Sequence, residues 1–510
     1  MLPQNSWHLH NGIVRSGPDW SSPSEQLNVR DGLITNARTL PEQAVCFDLH
    51  GHALYPGFVD AHVHLEWYGM QAAQVDLCSA RSWEEVLQRL EKAGAAEKGN
   101  LAEWLEGYGL NEQDWPGPPR PEQLEVRFPG KPILLERVDR HAGIASTAAL
   151  HGAGLDKKAL SQSWLDDHQL LALRQSKPAP DNSQRKAAFR KALTDVLAHG
   201  ITALTDAWLT PEAGSLLAEV LAEPFPWPQV SALLEPEAPG ADPLLERGPH
   251  YEGKLLWNGI KLFADGAFGS RGAWLSVPYA DAPACYGDRM REEVHYRHWA
   301  ARALHHHWPL ATHAIGDAAH HFVLNLYDSL LPPGNTRRWR IEHAQLIHPE
   351  DDLSIYAKKS IIPSIQPAQR LSDQAWLHHR LGHERSRKAH PANSLRQNAG
   401  LLAYGTDFPI EPIDPVRGFL ALVRADEDNV NTQEQLSREE ALNSMTHWAA
   451  YSQSKAHGYG TLDPGKQANL VLWRYDWMTA PASLLAENKP LVVWMGGTVA
   501  YINWEEYQGG

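Results

Sequence analysis

The sequence predicts an α/β fold: a TIM-type (β/α)8 barrel with an insertion and a small β-sandwich domain formed by both termini. Short apolar runs alternate with helical stretches through the middle of the chain, as repeated β/α units require. Both ends read instead as short strands and turns, and chain termini often lie close together. The 510 residues exceed one ordinary core but suit a barrel with an accessory domain.

The terminal segments supply the predicted β-sandwich. Near the amino terminus, strands are predicted at 7–14, 26–29, 32–35 and 45–48. Near the carboxyl terminus, they are predicted at 468–473, 491–495 and 498–502. A Gly496-Gly497 turn joins the last two. We therefore assign residues 1–55 and 456–510 to one composite domain.

The barrel strands follow from apolar runs in the middle of the chain. These runs lie at 54–59, 201–205, 230–234, 259–263, 310–312, 339–341, 361–365 and 401–404. Helices between them carry recognisable starts, such as the N-cap Thr210 before Pro211 and the capping box from Ser437 to Glu440. We therefore assign residues 56–455 to the barrel.

One gap does not fit a plain barrel. Well over a hundred residues separate the first two predicted strands, and a structureless loop of that length is implausible. The gap contains a helix that begins with a Ser82-x-x-Glu85 cap and a strand at 132–138. A polar, proline-containing linker follows at 176–184. We interpret residues 72–185 as an inserted subdomain over the active site.

Composition narrows the class of protein. No run of about 18 apolar residues is present, and the first ten residues lack a basic and apolar leader. The three cysteines, Cys46, Cys78 and Cys285, are scattered, which fits a reducing compartment. The net charge of −15 argues against nucleic acid as a partner. We expect a cytoplasmic protein with a small-molecule substrate and no membrane partner; a homo-oligomer is left open.

A histidine pair follows the first barrel strand. In Asp60-Ala61-His62-Val63-His64, the two histidines lie two residues apart and therefore share one face of an extended chain. Both imidazoles would point into the barrel mouth. The spacing alone is weak evidence, because His8-x-His10 repeats it in the β domain. The position at a strand end is what favours a metal site.

Four later barrel strands end in, or contain, further side chains that could take part in a metal site. They are Lys261, His313, His343 beside Glu342, and Asp407. Barrel enzymes keep their chemistry at the carboxyl ends of the strands. Histidine and carboxylate suit zinc and similar divalent ions. Lysine fits only if its neutral amine captures carbon dioxide, because the resulting carbamate is an anion that can bridge two ions.

With these residues in place, the chain resembles the amidohydrolase superfamily, in particular the amidohydrolase 3 branch that contains N-substituted formamide deformylases. The resemblance covers nearly the whole chain and is specific because the motifs occur in order. The matching segments are 55–64 (YPGFVDAHVH), 200–206 (GITxxxD), 260–266 (IKLFADG), 313–317 (HAIGD), 341–344 (IEHA), 364–367 (SIQP), 405–409 (GTDFP) and 460–470 (GxLxPGKxANL).

The resemblance implies a two-ion site. His62, His64 and Asp407 would hold one metal ion. His313 and His343 would hold a second, with Lys261 bridging as a carboxylated lysine. Asp407 would also act as general base toward a metal-activated hydroxide. Zinc is the expected ion, present in one or two copies, and the implied reaction is hydrolysis of an amide-type C–N bond outside peptides.

Three further residues are candidates for substrate binding. His141 matches a histidine that the branch carries in its insertion, and we expect it to contact a substrate oxygen; an exposed loop histidine is the alternative. The family usually has D-G-H here, whereas this chain has Arg140, which alters the charge near the mouth. Arg271 is a candidate substrate anchor, and Trp67 a candidate pocket wall.

Other functions on the same site stay open at this point. A lactonase, another esterase or a deaminase would use the same metal ligands. A non-catalytic relative used as a scaffold is the remaining alternative. Such relatives typically lose ligands, whereas all six positions are filled here.

Overall fold

The computed structural model describes residues 5–37, 41–96, 104–112, 115–137, 142–155, 164–165, 167–424 and 432–507. Its strands are, in chain order, β1 (Trp7–His10), β2 (Ile13–Val14), β3 (Leu27–Arg30), β4 (Leu33–Thr35), β5 (Val45–Asp48), β6 (Ala53–Pro56), β7 (Phe58–Val63), β8 (Val75–Asp76), β9 (Leu105–Leu110), β10 (Ile133–Arg137), β11 (Gly143–Ala145), β12 (Ile201–Leu209), β13 (Gln229–Leu234), β14 (His250–Glu252), β15 (Leu255–Phe263), β16 (Leu310–Ala314), β17 (Arg340–His343), β18 (Ile362–Ile365), β19 (Ala403–Tyr404), β20 (Leu470–Trp473), β21 (Pro490–Met495) and β22 (Thr498–Ile502).

The helices of the same residues are α1 (Leu65–Ala72), α2 (Trp83–Ala96), α3 (Glu122–Arg127), α4 (Thr147–Gly152), α5 (Asp167–Ser176), α6 (Asn182–Ala198), α7 (Pro211–Leu221), α8 (Ala241–Arg247), α9 (Glu293–His305), α10 (Asp317–Leu330), α11 (Ser354–Lys359), α12 (Ala368–Asp373), α13 (Leu377–Lys388), α14 (Ala392–Ala399), α15 (Pro415–Val423), α16 (Arg438–Ser444), α17 (His447–Ser452), α18 (Ala482–Leu485) and α19 (Trp504–Tyr507). Among these helices, none combines the length and apolarity needed to cross a bilayer.

The predicted barrel is confirmed. Its strands lie side by side in the order β19-β18-β17-β16-β15-β13-β12-β7, and every neighbouring pair is parallel. The first and last strands approach each other where the backbone amide of Asp407 donates to the carbonyl of His62 at 2.8 Å. The amide of His64 donates to the carbonyl of Phe408 at 3.0 Å. The eight strands thus form a nearly closed TIM-type barrel.

The first predicted barrel strand is divided in two at Gly57. A side-chain carbon at this glycine would lie 2.1 Å from Oγ1 of Thr202, so only glycine allows the two segments to approach. The strand before it, β6, joins the small domain, and the strand after it, β7, opens the barrel. In β12 the strand also runs past the predicted end, because the backbone amide of Leu65 satisfies the buried Asp206 carboxylate.

The small domain is built from both ends of the chain, as predicted. One sheet has the order β4-β3-β1-β5, and the other has the order β2-β6-β20-β21-β22. A shared apolar core includes Trp7 and Val29 from the first sheet with Leu54, Leu470 and Trp494 from the second. Burial of each large apolar side chain stabilises the packing of the two sheets by about 1.5–3 kcal/mol.

The chain divides into two compact units. One comprises the chain up to Leu65 and from Ala192 onward, and it contains the barrel and the small domain. The other spans Glu66–Lys191 and contains the sheet β11-β10-β9-β8. Its core includes Val86 and Leu87 of α2 packed with Leu135 of β10. The assignment of 72–185 to a subdomain over the active site stays a prediction.

Candidate metal centre

The six side chains predicted as metal ligands come from the carboxyl ends of five barrel strands. Parallel strands bring these ends to one rim of the barrel. Ring centroids lie 5.0 Å apart between His62 and His343, and 4.4 Å apart between His343 and His313. Nζ of Lys261 lies 3.4 Å from Nε2 of His62. The structure therefore gathers residues that are far apart in the chain.

His62, His64 and Asp407 form the tightest group. Nε2 of His62 lies 3.6 Å from Oδ1 of Asp407, and Nε2 of His64 lies 3.3 Å from the same oxygen. The candidate ligand atoms of all three residues fall within 4.8 Å of one another, and no other set in the described part of the chain does so. Two imidazoles and one carboxylate are a set that zinc accepts at about 2.0–2.2 Å from each ligand atom.

Glu342 orients the first histidine. Nδ1 of His62 donates to Oε2 of Glu342 at 2.6 Å, and Nε of Arg340 pairs with the other carboxylate oxygen at 2.8 Å. This contact fixes the tautomer and leaves Nε2 of His62 directed at Asp407, as the outer partners of metal-binding histidines do. Glu342 was not assigned a role from the sequence. The feature that could have indicated one is an ionisable residue within the wholly buried strand β17.

A second group lies beside the first. Among the described residues, no hydrogen-bonding partner reaches the buried Nδ1 of His343. Nε2 of His313 lies 3.4 Å from the carbonyl of Gly266 and 3.4 Å from Oδ1 of Asp265, which leaves its Nδ1 for another partner. Buried imidazole nitrogens without partners are costly unless a ligand satisfies them. The donor set therefore fits a second ion.

The electrostatics favour neutral imidazoles. Burial lowers the pKa of His313 to about 3 and the pKa values of His62 and His343 well below the ordinary value, and the Lys261 charge adds to all three shifts. Neutral imidazole is the metal-binding form. Burial also lowers the pKa of Lys261 to about 8, although Glu342 and Asp407 partly offset it. The neutral amine of Lys261 is thus accessible near physiological pH.

Asp407 stays ionised. Burial raises the pKa of the Asp407 carboxyl group, but its contacts with His62, His64 and Lys261 together outweigh that effect and hold the pKa below its ordinary value. Nε2 of Gln369 donates to Oδ2 of Asp407 at 2.9 Å, and Gln345 donates to Gln369 at 2.5 Å. Neither glutamine was predicted from the sequence, because only the fold brings Gln369 to Asp407 and Gln345 to Gln369.

Two candidate ligands and one neighbouring residue have a left-handed backbone conformation. Asp407 has a φ of 60°, His343 has a φ of 72°, and Ala344 has a φ of 45°. Side chains rarely adopt this left-handed region, and such residues cost on the order of 1–3 kcal/mol. The surrounding contacts hold both ligand residues in positions that the isolated chain would disfavour.

A buried carboxylate ties the first strand to the segment after the last. Oδ1 of Asp60 accepts from the backbone amides of His62 and Thr406, both at 3.1 Å. Oγ1 of Thr406 donates to Oδ2 of Asp60 at 2.6 Å. Asp60 therefore positions His62 and the Thr406-Asp407 segment in register.

Two of the three predicted substrate residues, Arg271 and Trp67, lie in the described part of the chain. The guanidinium of Arg271 pairs with Asp281, with nitrogen–oxygen distances of 2.8 and 3.1 Å, and Asp281 also pairs with Arg380. Trp67 lies in α1 and is 39% exposed. His141 lies outside the described residues. All three roles stay predictions.

Known proteins resemble this chain over nearly its full length. It is 29% identical to the putative amidohydrolase YtcJ of Bacillus subtilis (strain 168), with 96% of this chain and 98% of that protein covered. It is 23% identical to the N-substituted formamide deformylase of Arthrobacter pascens, with 96% and 97% covered. The crystal structure of an uncharacterised metal-dependent hydrolase from Pyrococcus horikoshii OT3 superposes with a TM-score of 0.80 at 26% identity, covering 94% of this chain and 99% of that one.

The resemblance inferred from the ordered motifs is confirmed at the level of the family. The family model described as the amidohydrolase family matches residues 46–501, which include both groups of candidate ligands and about half of the small domain. This chain therefore belongs to the amidohydrolase family and is a hydrolase built on a TIM-type barrel.

Proposed function

We propose that this chain is a metal-dependent amidohydrolase that cleaves an amide-type C–N bond outside peptides. The observation that carries the proposal is the convergence of His62, His64 and Asp407 within 4.8 Å at the ends of the first and last barrel strands. The name of the formamide deformylase, to which the chain is similar, supports a C–N bond as the target.

The donor set suits one or two divalent ions, with zinc the best match to histidine and carboxylate ligands. His62, His64 and Asp407 would hold the first ion, and His313 and His343 the second. Lys261 would join them after its amine nitrogen forms a bond to carbon dioxide and releases a proton, giving a carbamate anion. A bound ion supplies Lewis acidity, which lowers the pKa of water and polarises the scissile carbonyl.

Asp407 is placed to move the proton. Gln369 holds Oδ2, so that Oδ1 faces the two histidines. From this position the ionised carboxylate can accept a proton from the attacking water and pass it to the leaving amine nitrogen. Glu342 keeps His62 in the required tautomer during turnover.

A substrate panel tests the proposal. Formamides, acylated amino acids, lactones and aminated heterocycles should be assayed with metal-analysed protein before and after chelation. We expect turnover of amides that chelation abolishes and added zinc restores. Turnover of lactones alone would assign an esterase-type hydrolase, and turnover of aminated heterocycles alone would assign a deaminase. A carefully purified protein without stoichiometric divalent ion and without activity would favour a scaffold relative.

A further inference from the structure

Two aromatic side chains meet at the barrel mouth. Trp208 is the penultimate residue of β12, and Phe263 is the last residue of β15. Strand β13 lies between these strands in the sheet, so the two side chains reach each other across its carboxyl end. Their ring centroids lie 4.7 Å apart with an interplanar angle of 57°. We call this pair the aromatic platform.

The platform adjoins the candidate metal ligands. The ring of Phe263 lies 5.5 Å from the ring of His313, and Nζ of Lys261 lies 5.0 Å from the centre of the Phe263 ring. One end of the platform is therefore in contact with the residues proposed to act on the scissile bond.

The other end of the platform faces solvent. Trp208 is 46% exposed, whereas every other residue of β12 is buried. Met290, which is 50% exposed, follows in the same region of the fold, where its backbone amide donates to the carbonyl of Ala264 directly after Phe263. An exposed apolar patch beside a polar cluster is typical of a ligand-binding surface.

We propose that Trp208 and Phe263 bind an aromatic or flat apolar substituent adjacent to the scissile C–N bond. The inference rests on the proposed function and names the substrate class for it. Aromatic rings attract one another in tilted and offset arrangements at centroid distances of about 4.5–7 Å, and the open part of Trp208 leaves room for a further ring. The metal ligands would engage the polar part of the substrate while the platform covers the apolar part.

Matched substrates and variants test this assignment. The hydrolysis of N-phenethylacetamide and N-hexylacetamide should be compared in the wild type, Trp208→Ala, Trp208→Phe and the control Trp504→Ala. Trp504 is 59% exposed and lies in α19 of the small domain. We expect Trp208→Ala to raise KM for the phenethyl amide about tenfold, to change KM for the hexyl amide far less, and Trp208→Phe to recover most of the loss. Equal effects on both amides, or none, would overturn the assignment.

A binding measurement separates this inference from the proposed function. Phenethyl alcohol and hexanol are neutral and contain no C–N bond, and saturation-transfer NMR reports their binding without turnover. Preferential binding of phenethyl alcohol that Trp208→Ala removes supports the platform even if no amide is cleaved, in which case only the proposed function fails. Amide turnover without such binding would refute the platform alone.

Discussion

At the scale of single residues, Asp407 combines three constraints. Its backbone is left-handed, its Oδ2 accepts from Gln369, and its Oδ1 faces two imidazoles. These contacts are polar contacts to the charged carboxylate of Asp407 and contribute little to the packing of the apolar core. A change at this position should therefore affect chemistry more than folding.

The variant Asp407→Asn keeps the size of the side chain and removes its charge. We expect kcat to fall at least about a hundredfold, because the proposed proton acceptor and metal ligand is lost, while thermal unfolding changes little. Steady-state kinetics and calorimetry measure both effects, with the exposed Asp288→Asn as control. Full activity, or an unfolded protein, would contradict the assigned role.

Glu342 acts through His62, so its replacement should weaken metal binding. In Glu342→Gln the carboxylate that accepts from Nδ1 of His62 is lost, and we expect the affinity for zinc to fall about 10–100-fold. Competition with a chromophoric chelator measures this affinity. The variant Glu350→Gln removes an exposed carboxylate elsewhere and should leave the affinity unchanged.

Lys261→Ala removes the proposed bridging group. We expect the bound metal per protein to decrease and to recover partly with acetate or propionate, whose carboxylates can replace the carbamate. Elemental analysis of dialysed protein provides the readout. Lys254→Ala changes an exposed lysine just before the same strand β15 and is the control. Unchanged metal content in Lys261→Ala would argue against the bridge.

The sequence predicted the six cluster residues because each lies in or just after an apolar run and belongs to an ordered motif. Glu342 and Gln369 could not be given roles in the same way. Glu342 contacts a residue 280 positions away, and Gln369 contacts one 38 positions away. Contacts between residues so far apart in sequence depend on the order of the strands around the barrel. No local sequence pattern encodes that order.

At the scale of secondary-structure elements, the first and last barrel strands can approach each other only because residue 405 is glycine and has no side chain. A side-chain carbon at Gly405 would lie 2.7 Å from Cβ of His62 and 2.9 Å from its backbone nitrogen. Distances of this size require the backbone to shift. Glycine here allows β19 and the segment after it to approach β7.

The variant Gly405→Ala should therefore disturb both stability and metal binding. We expect a loss of about 1–3 kcal/mol in the free energy of unfolding, as for other overpacked sites, together with weaker zinc binding because His62 is displaced. Urea unfolding and chelator competition measure the two effects. Gly458→Ala, where an added carbon would meet only a carbonyl oxygen at 3.6 Å, should be neutral.

Strand identity was easier to predict than strand limits. Short apolar runs located all eight barrel strands. The first run joined β6 to β7, since both are apolar and only the close approach of Gly57 to Thr202 separates them. The apolar run also ended β12 at Thr205, whereas the strand continues through Asp206 to Leu209. The fold buries that carboxylate by supplying the backbone amides of Leu65 and Trp208.

At the scale of the whole molecule, buried neutral histidines make stability depend on pH. His320 is fully buried in α10, its Nε2 contacts the hydroxyl of Tyr356 at 2.9 Å, and burial lowers its pKa to about 3. In the unfolded chain the pKa of histidine is about 6.5, so unfolding takes up a proton between these values. Stability is therefore present above about pH 6.5 and is lost as the pH falls toward 3.

The variant His320→Gln tests this dependence away from the metal cluster. Glutamine does not titrate, so we expect the slope of unfolding free energy against pH to decrease by about 1.2 kcal/mol per pH unit between pH 6 and 5. Urea unfolding at both pH values gives the slope. His305→Gln replaces an exposed histidine of α9 and serves as control. An unaltered slope in His320→Gln would show that another group takes up the proton.

The pairing of early and late segments has a consequence for biosynthesis. β6 pairs with β20, and His62 and His64 meet Asp407 only after the eighth strand is in place. During translation the amino-terminal segments, β6 and the segment that contains His62 and His64, leave the ribosome first. The segments that they contact, Asp407 and β20, are synthesised only after most of the chain has been translated. The nascent polypeptide therefore carries an incomplete set of the candidate ligands until Asp407 has been synthesised and the eighth strand has joined the barrel.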